Sequence, residues 1–115
     1  MTTYKRGDIV LVNFPFSDLS QIVHRPALVV QDETVKTGFD QWIVVQITTN
    51  LSRTGSSRVC VDKNSPEGKK MKLLHDSVIM ADKIATLDNR EISSVVGKCP
   101  IMQRIDKALR TILGL

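Results

Sequence analysis

Aromatic side chains are scarce in this chain: one Trp, one Tyr and three Phe among 115 residues. A nucleic-acid platform of successive stacked rings has little to be built from. Trp42 reads as core, and Phe14 and Phe16 flank Pro15, where packing competes with any stacking role. Metal-ligating side chains are equally few. Cys60 and Cys99 are the two cysteines, far apart and without a CxxC companion, and His24 and His75 are the two histidines. No zinc constellation can be assembled from them, and neither a metal nor a cofactor is expected. Both cysteines read as small buried hydrophobes, which suits a reducing, cytoplasmic compartment. Long apolar runs are missing too. Nothing approaches the roughly 18 residues that signal a membrane span, and the opening Met1–Asp8 carries no apolar segment of signal-peptide type.

Hydrophobic residues make up 42% of the chain, which argues for a globular fold. Its length fits a single domain over 1–115 with one sizeable core. Sixteen Lys and Arg against twelve Asp and Glu leave a net charge of +4. Residues 1–40 carry four basic and five acidic side chains, and residues 41–115 carry twelve and seven. A positive field over the later part would draw a polyanion, RNA first among them. Ordinary solubility charge is the plainer explanation of the same numbers.

Several short apolar segments lie between turn-like stretches. Ile9–Phe14, Pro26–Val30, Trp42–Thr48, Arg58–Asp62, Ser77–Ala81 and Ser94–Lys98 read as strands. Asn50–Ser57 reads as a loop, and so does Asn64–Lys70, which contains Pro66 and Gly68. The end is different: Ile101, Ile105, Ala108, Leu109 and Ile112 recur at helical spacing, with Pro100 suited to the first turn and Gly114 to the stop. Asp106 and Arg110 are placed for an i, i+4 pair. Strands followed by one closing helix predict a β-rich α+β domain, a small bent antiparallel sheet or partial barrel.

Arg25 is the first candidate for chemistry. Pro26 restricts it to extended geometry at a strand mouth, where a guanidinium can fork onto a phosphate; a rim ion pair is the bland alternative. Thr48, Thr49 and Asn50 follow a buried strand and could offer hydrogen bonds to a phosphate, although such residues also terminate strands for purely local reasons. Arg53 and Arg58, with Lys63, Lys69, Lys70 and Lys72, could track a nucleic-acid backbone or simply form a solvated face. Asp82 and His24 are the candidates for moving protons; pairing of Asp82 with Lys83 and plain exposure of His24 are the competing readings.

The ordered set resembles the MazF/PemK toxins over nearly the whole chain. Lys5–Val12 resembles their opening strand, Asn13–Asp18 the segment after it in one branch, Arg25–Val30 their arginine–proline strand and Ile47-Thr48 the strand end that carries a threonine. Ser77–Ile79, Ile84–Asp88 and Val96–Lys98 resemble their later half. The resemblance implies an SH3-like small barrel with a C-terminal helix, usually a homodimer. It implies a type II toxin–antitoxin endoribonuclease that cuts single-stranded RNA, including mRNA, at selected sequences without a metal. A cognate antitoxin protein would be the partner, with operator DNA bound together with it. Arg25 matches the family's catalytic arginine and Thr48 its active-site threonine, while Asp82 falls where some members carry a catalytic acid. One branch has an arginine two residues earlier, where this chain has Met80, so that branch's acid–base scheme does not transfer whole. Phe16, Ser17, Thr49, Asn50, Arg53 and Arg58 are the expected RNA contacts.

In the implied reaction the substrate's 2′-hydroxyl attacks the adjacent phosphorus, leaving a 2′,3′-cyclic phosphate and a 5′-hydroxyl. Two other readings stand beside it. A toxin of this fold can inhibit a protein such as gyrase without cutting anything, and a plain nucleic-acid-binding domain would show salt-sensitive binding without cleavage.

Overall fold

The computed structural model describes residues 3–15 and 22–115. Its strands are β1 (Asp8–Pro15), β2 (Ile22–Val29), β3 (Gln41–Thr48), β4 (Arg58–Val61), β5 (Ser77–Asp88) and β6 (Ile92–Lys98); the helices are α1 (Pro66–Met71) and α2 (Met102–Leu113). They form one six-stranded sheet in the order β4-β5-β3-β2-β1-β6, antiparallel at every pairing. A β-rich α+β architecture with a closing helix is what the apolar patterning led one to expect.

Side chains alternate across a strand, and here both faces are buried in the middle of the sheet. Ile9, Leu28, Val45, Ile47 and Ile79 point to one side, where they pack with Ile105 and Ala108 of α2. Val10, Val12, Ala27, Val29 and Val44 point to the other, around Tyr4 and Trp42, whose rings meet edge to face with centroids 5.5 Å apart. Burial on both faces explains why the strands read as continuous apolar runs. Trp42 is core, as its sequence context suggested.

Several local expectations need correcting. Residues 64–70 are not all loop: Ser65 caps α1, its Oγ accepting from the Gly68 N–H at 3.0 Å, and Pro66 occupies the first turn, where its missing N–H costs nothing. Gly68 is there for space, since a Cβ would lie 2.1 Å from the Asp62 carbonyl oxygen. β2 begins before Pro26, which is tolerated because pairing with β3 runs only from Ala27 to Val29. β5 continues past Ala81 to Asp88. Cys60 is exposed and only Cys99 is buried, both as free thiols. Asp106 pairs with Arg6 rather than Arg110, which ties α2 to the start of the chain. Pro100 stands ahead of α2, while Gly114 ends it in the left-handed conformation expected of a C-terminal stop.

Candidate functional site

Polar groups of β2 and β3 gather on one face of the sheet: Arg25 stands inside β2, not at a strand mouth as expected, and Thr48 ends β3. Register places Arg25 opposite Val12 and Ala27 opposite both Val10 and Gln46. Arg25, Gln46 and Thr48 therefore share one face of the sheet, beyond the apolar Val10–Ala27–Val44 cluster. There they line a cavity of about 300 Å³ together with Arg53, Met80 and Lys83. Three cations meet in this cavity, and no carboxylate lines it among the described residues. Such a concavity suits an anion.

Thr48 is held locally. Its Oγ1 accepts from the Asn50 N–H at 3.1 Å, which leaves its hydroxyl hydrogen to donate elsewhere. The following turn is fastened by Asn50, whose Oδ1 accepts from the Ser52 N–H at 3.2 Å and the Ser52 hydroxyl at 2.7 Å. The Asn50 carbonyl accepts from the Arg53 N–H at 3.2 Å. Asn50 thus shapes the turn that carries Arg53, and its side-chain oxygen is already engaged.

Lys83 reaches the cavity because of an irregularity in β5. Gln46 pairs with Met80 but the preceding Val45 pairs with Ile84. Residues 81–83 are thus looped out of the ladder. A bulge of this kind re-aims side chains that regular alternation would fix.

Asp82 and Arg58 are partners of each other. Arg58 Nε donates to one Asp82 oxygen at 2.6 Å and a second guanidinium nitrogen donates to the other at 2.8 Å. This fork is the strong, planar form of an ion pair. The hydrogen bonds from Arg58 hold the Asp82 carboxyl below the ordinary carboxylate value, and Asp82 raises the guanidinium in turn. A carboxylate so stabilised is a weaker base, and it is not among the groups lining the Arg25–Thr48 cavity. Its partner is Arg58, 24 residues away in sequence, and not the neighbouring Lys83. Arg58 also donates to the Arg53 carbonyl, at 3.2 Å.

His24 pairs across from Asn13 and, as the neighbour of Arg25 on the strand, faces the other side of β2. With Thr49 it lines a second, more apolar cavity of about 510 Å³, shared with His75, Ser77 and Leu73. Arg25, Pro26 and Ile47 border both cavities. Phe16 and Ser17 lie outside the described residues. The sequence reading missed Gln46, which its spacing of two from Thr48 could have revealed, and Lys83, which no regular spacing reveals. No group of three His, Cys, Asp or Glu placed to hold a metal occurs among the described residues.

Residues 5–113 match the family described as the PemK-like, MazF-like toxin of type II toxin–antitoxin systems. Among solved structures, the chain is similar to an endoribonuclease from a mycobacterial species, at 26% identity over 100% of this chain and 95% of that one, with a TM-score of 0.73. A mycobacterial endoribonuclease in complex with its cognate antitoxin is similar at 24% identity, over 97% and 96% of the two chains, with a TM-score of 0.75. MazF from Deinococcus radiodurans shares the fold at 20% identity over the full length of both chains, with a TM-score of 0.74.

Proposed function

The chain belongs to the PemK-like, MazF-like toxin family of type II toxin–antitoxin systems, and from that premise we propose that it is an endoribonuclease working at the Arg25–Thr48 cavity. One observation carries this reading: Arg25, Thr48, Arg53 and Lys83 converge on a single concavity that no carboxylate lines among the described residues. Single-stranded RNA is the substrate, and its own 2′-hydroxyl is the nucleophile. The 2′-oxygen bonds to phosphorus, the bond to the 5′-oxygen breaks, the 2′-hydroxyl proton passes to water, and the departing 5′-oxygen takes up a proton from solvent. Negative charge gathers on the phosphoryl oxygens as this happens. Arg25 and the Thr48 hydroxyl are the donors that meet it, and a donor of this kind is worth about 10²–10³ in rate. Arg25 supplies the fixed positive charge at the reacting phosphate, and the reaction calls on no metal. Thr49 and His24, facing the adjoining cavity, contact the RNA beyond the scissile bond, and Asn50 contributes by holding the turn.

A cognate antitoxin protein is the natural regulator, since a similar endoribonuclease was solved with its own. Operator DNA binding belongs to the toxin and antitoxin together. The toxin acts in the cytoplasm as a homodimer, for which exposed Ile112, Leu113 and Leu115 at the end of the chain offer apolar surface. Incubation of the purified protein with a long RNA in EDTA tests the activity. Discrete fragments ending in 2′,3′-cyclic phosphate and 5′-hydroxyl support it, whereas RNA left intact at every protein concentration refutes it.

A further inference from the structure

Two cations of the Arg25–Thr48 cavity come from elements other than β2 and β3. Arg53 sits on the 49–57 connection and Lys83 on the bulge of β5. Nothing in a regular strand or a free loop would keep them beside one another. What links the two elements is Arg58. Its guanidinium forks onto Asp82, the neighbour of Lys83, at 2.6 and 2.8 Å, and donates to the Arg53 carbonyl at 3.2 Å. Both partners are largely shielded, the side chains being 14% and 24% exposed, so solvent competes weakly for these hydrogen bonds. Backbone bonds reinforce the connection: the Arg58 N–H donates to the Gly55 carbonyl at 3.0 Å, and the Ala81 N–H to the Ser57 carbonyl at 3.0 Å. The pair also removes an electrostatic obstacle. Asp82 adjoins the cavity wall in sequence, and an unpaired carboxylate there would repel a polyanion; Arg58 neutralises it.

We propose that Arg53 and Lys83 form a second phosphate subsite, taking the RNA phosphodiester next to the scissile one, and that the Arg58–Asp82 pair is the latch that positions it. Arg53 and Lys83 are binding residues for the substrate backbone, and Arg58 and Asp82 are positioning residues. The proposal rests on the nuclease reading above. Its specific content is where the neighbouring phosphate lies and what holds its ligands in place. A phosphate bound equally in ground and transition states contributes to KM and leaves kcat nearly unchanged.

Steady-state cleavage of a short RNA with one site tests this, using the intact phosphodiester backbone and versions with a neutral methylphosphonate on either side of the scissile bond. Cleavage of the unmodified RNA by the wild type establishes the nuclease reading independently. Arg53→Ala and Lys83→Ala are expected to raise KM about tenfold or more with kcat within about threefold, and to lower the dependence of log(kcat/KM) on log[salt] by about one per cation removed. A methylphosphonate on one side is expected to raise the wild-type KM similarly and to add little in either variant. Arg58→Gln should reproduce the KM effect and lose the methylphosphonate discrimination, with Arg58→Lys, which retains charge but cannot fork, recovering it only in part. Circular dichroism confirms that each variant is folded, and if Arg58→Gln unfolds, the Arg53 and Lys83 series with the modified RNAs decides. Wild-type KM insensitive to both methylphosphonates, or effects of substitution and modification that multiply independently, would overturn the proposal.

Discussion

Gly97→Ala adds one methyl group to β6 and should destabilise the fold by a predictable route. A Cβ at position 97 would lie 2.5 Å from the Met71 carbonyl oxygen, 2.6 Å from the Met71 carbonyl carbon and 2.9 Å from the Lys70 carbonyl oxygen. All three are backbone atoms at the end of α1, so no side chain can swing aside. Relief requires α1 to move away from β6, and Met71, fully buried in the core against Ile9 and Ile105, moves with it. Overpacking of this kind costs about 1–3 kcal/mol. For a chain of this size each kcal/mol shifts Tm by about 4 °C, so thermal unfolding followed by circular dichroism should fall by roughly 4–12 °C. Gly38→Ala is the matched control: nothing lies within 4 Å of its Cβ, although φ is +81°, so only backbone strain of about 1–2 kcal/mol applies. A Gly97→Ala protein melting with the wild type would show that β6 and α1 are not packed backbone to backbone.

Ser65→Ala removes the side chain that caps α1 and should cost about 1 kcal/mol in urea unfolding. The Asp82 carboxyl is held down by Arg58, so the pair's stabilisation is complete above the unfolded-state value of about 3.9 and is lost as pH falls through the lower folded value. Asp82→Asn should therefore be less stable than wild type at pH 6, by about 1.5–3 kcal/mol, with the gap closing below about pH 4; a gap that widens on acidification would contradict the pairing. Native protein treated with iodoacetamide should label at Cys60 and not at Cys99, which is buried and whose thiol burial pushes up; denaturation should expose both.

The sheet was legible because both of its faces are covered, so β1, β2 and β3 read as apolar runs. α2 was legible through its period. α1 was hidden because Pro66 and Gly68 read as breakers; a capping serine and a close backbone contact explain both. β5 was cut short at Ala81 because its bulge places two charged residues where a strand would be expected to end. Arg25 and Thr48 were singled out from local signals, the proline that follows one and the strand end that holds the other, and both line the same cavity. His24 lines the second cavity because neighbours on a strand face opposite ways. The Arg58–Asp82 partnership spans 24 residues and rests on the register of β4 against β5, which no local pattern contains. Lys83 enters the cavity through the bulge of β5 against β3, which is equally absent from any local pattern.

Cleavage of one defined RNA by Arg25→Ala, assayed in EDTA beside the wild type, tests the central claim most directly. Arg25 stands within β2 with its side chain exposed, so its truncation removes no side chain of either core cluster, and circular dichroism checks that the variant is folded. A loss of at least about 10²-fold in rate is expected, with 5′-hydroxyl ends from the wild type at the same positions. A folded Arg25→Ala protein that cuts the RNA at the wild-type rate would contradict it.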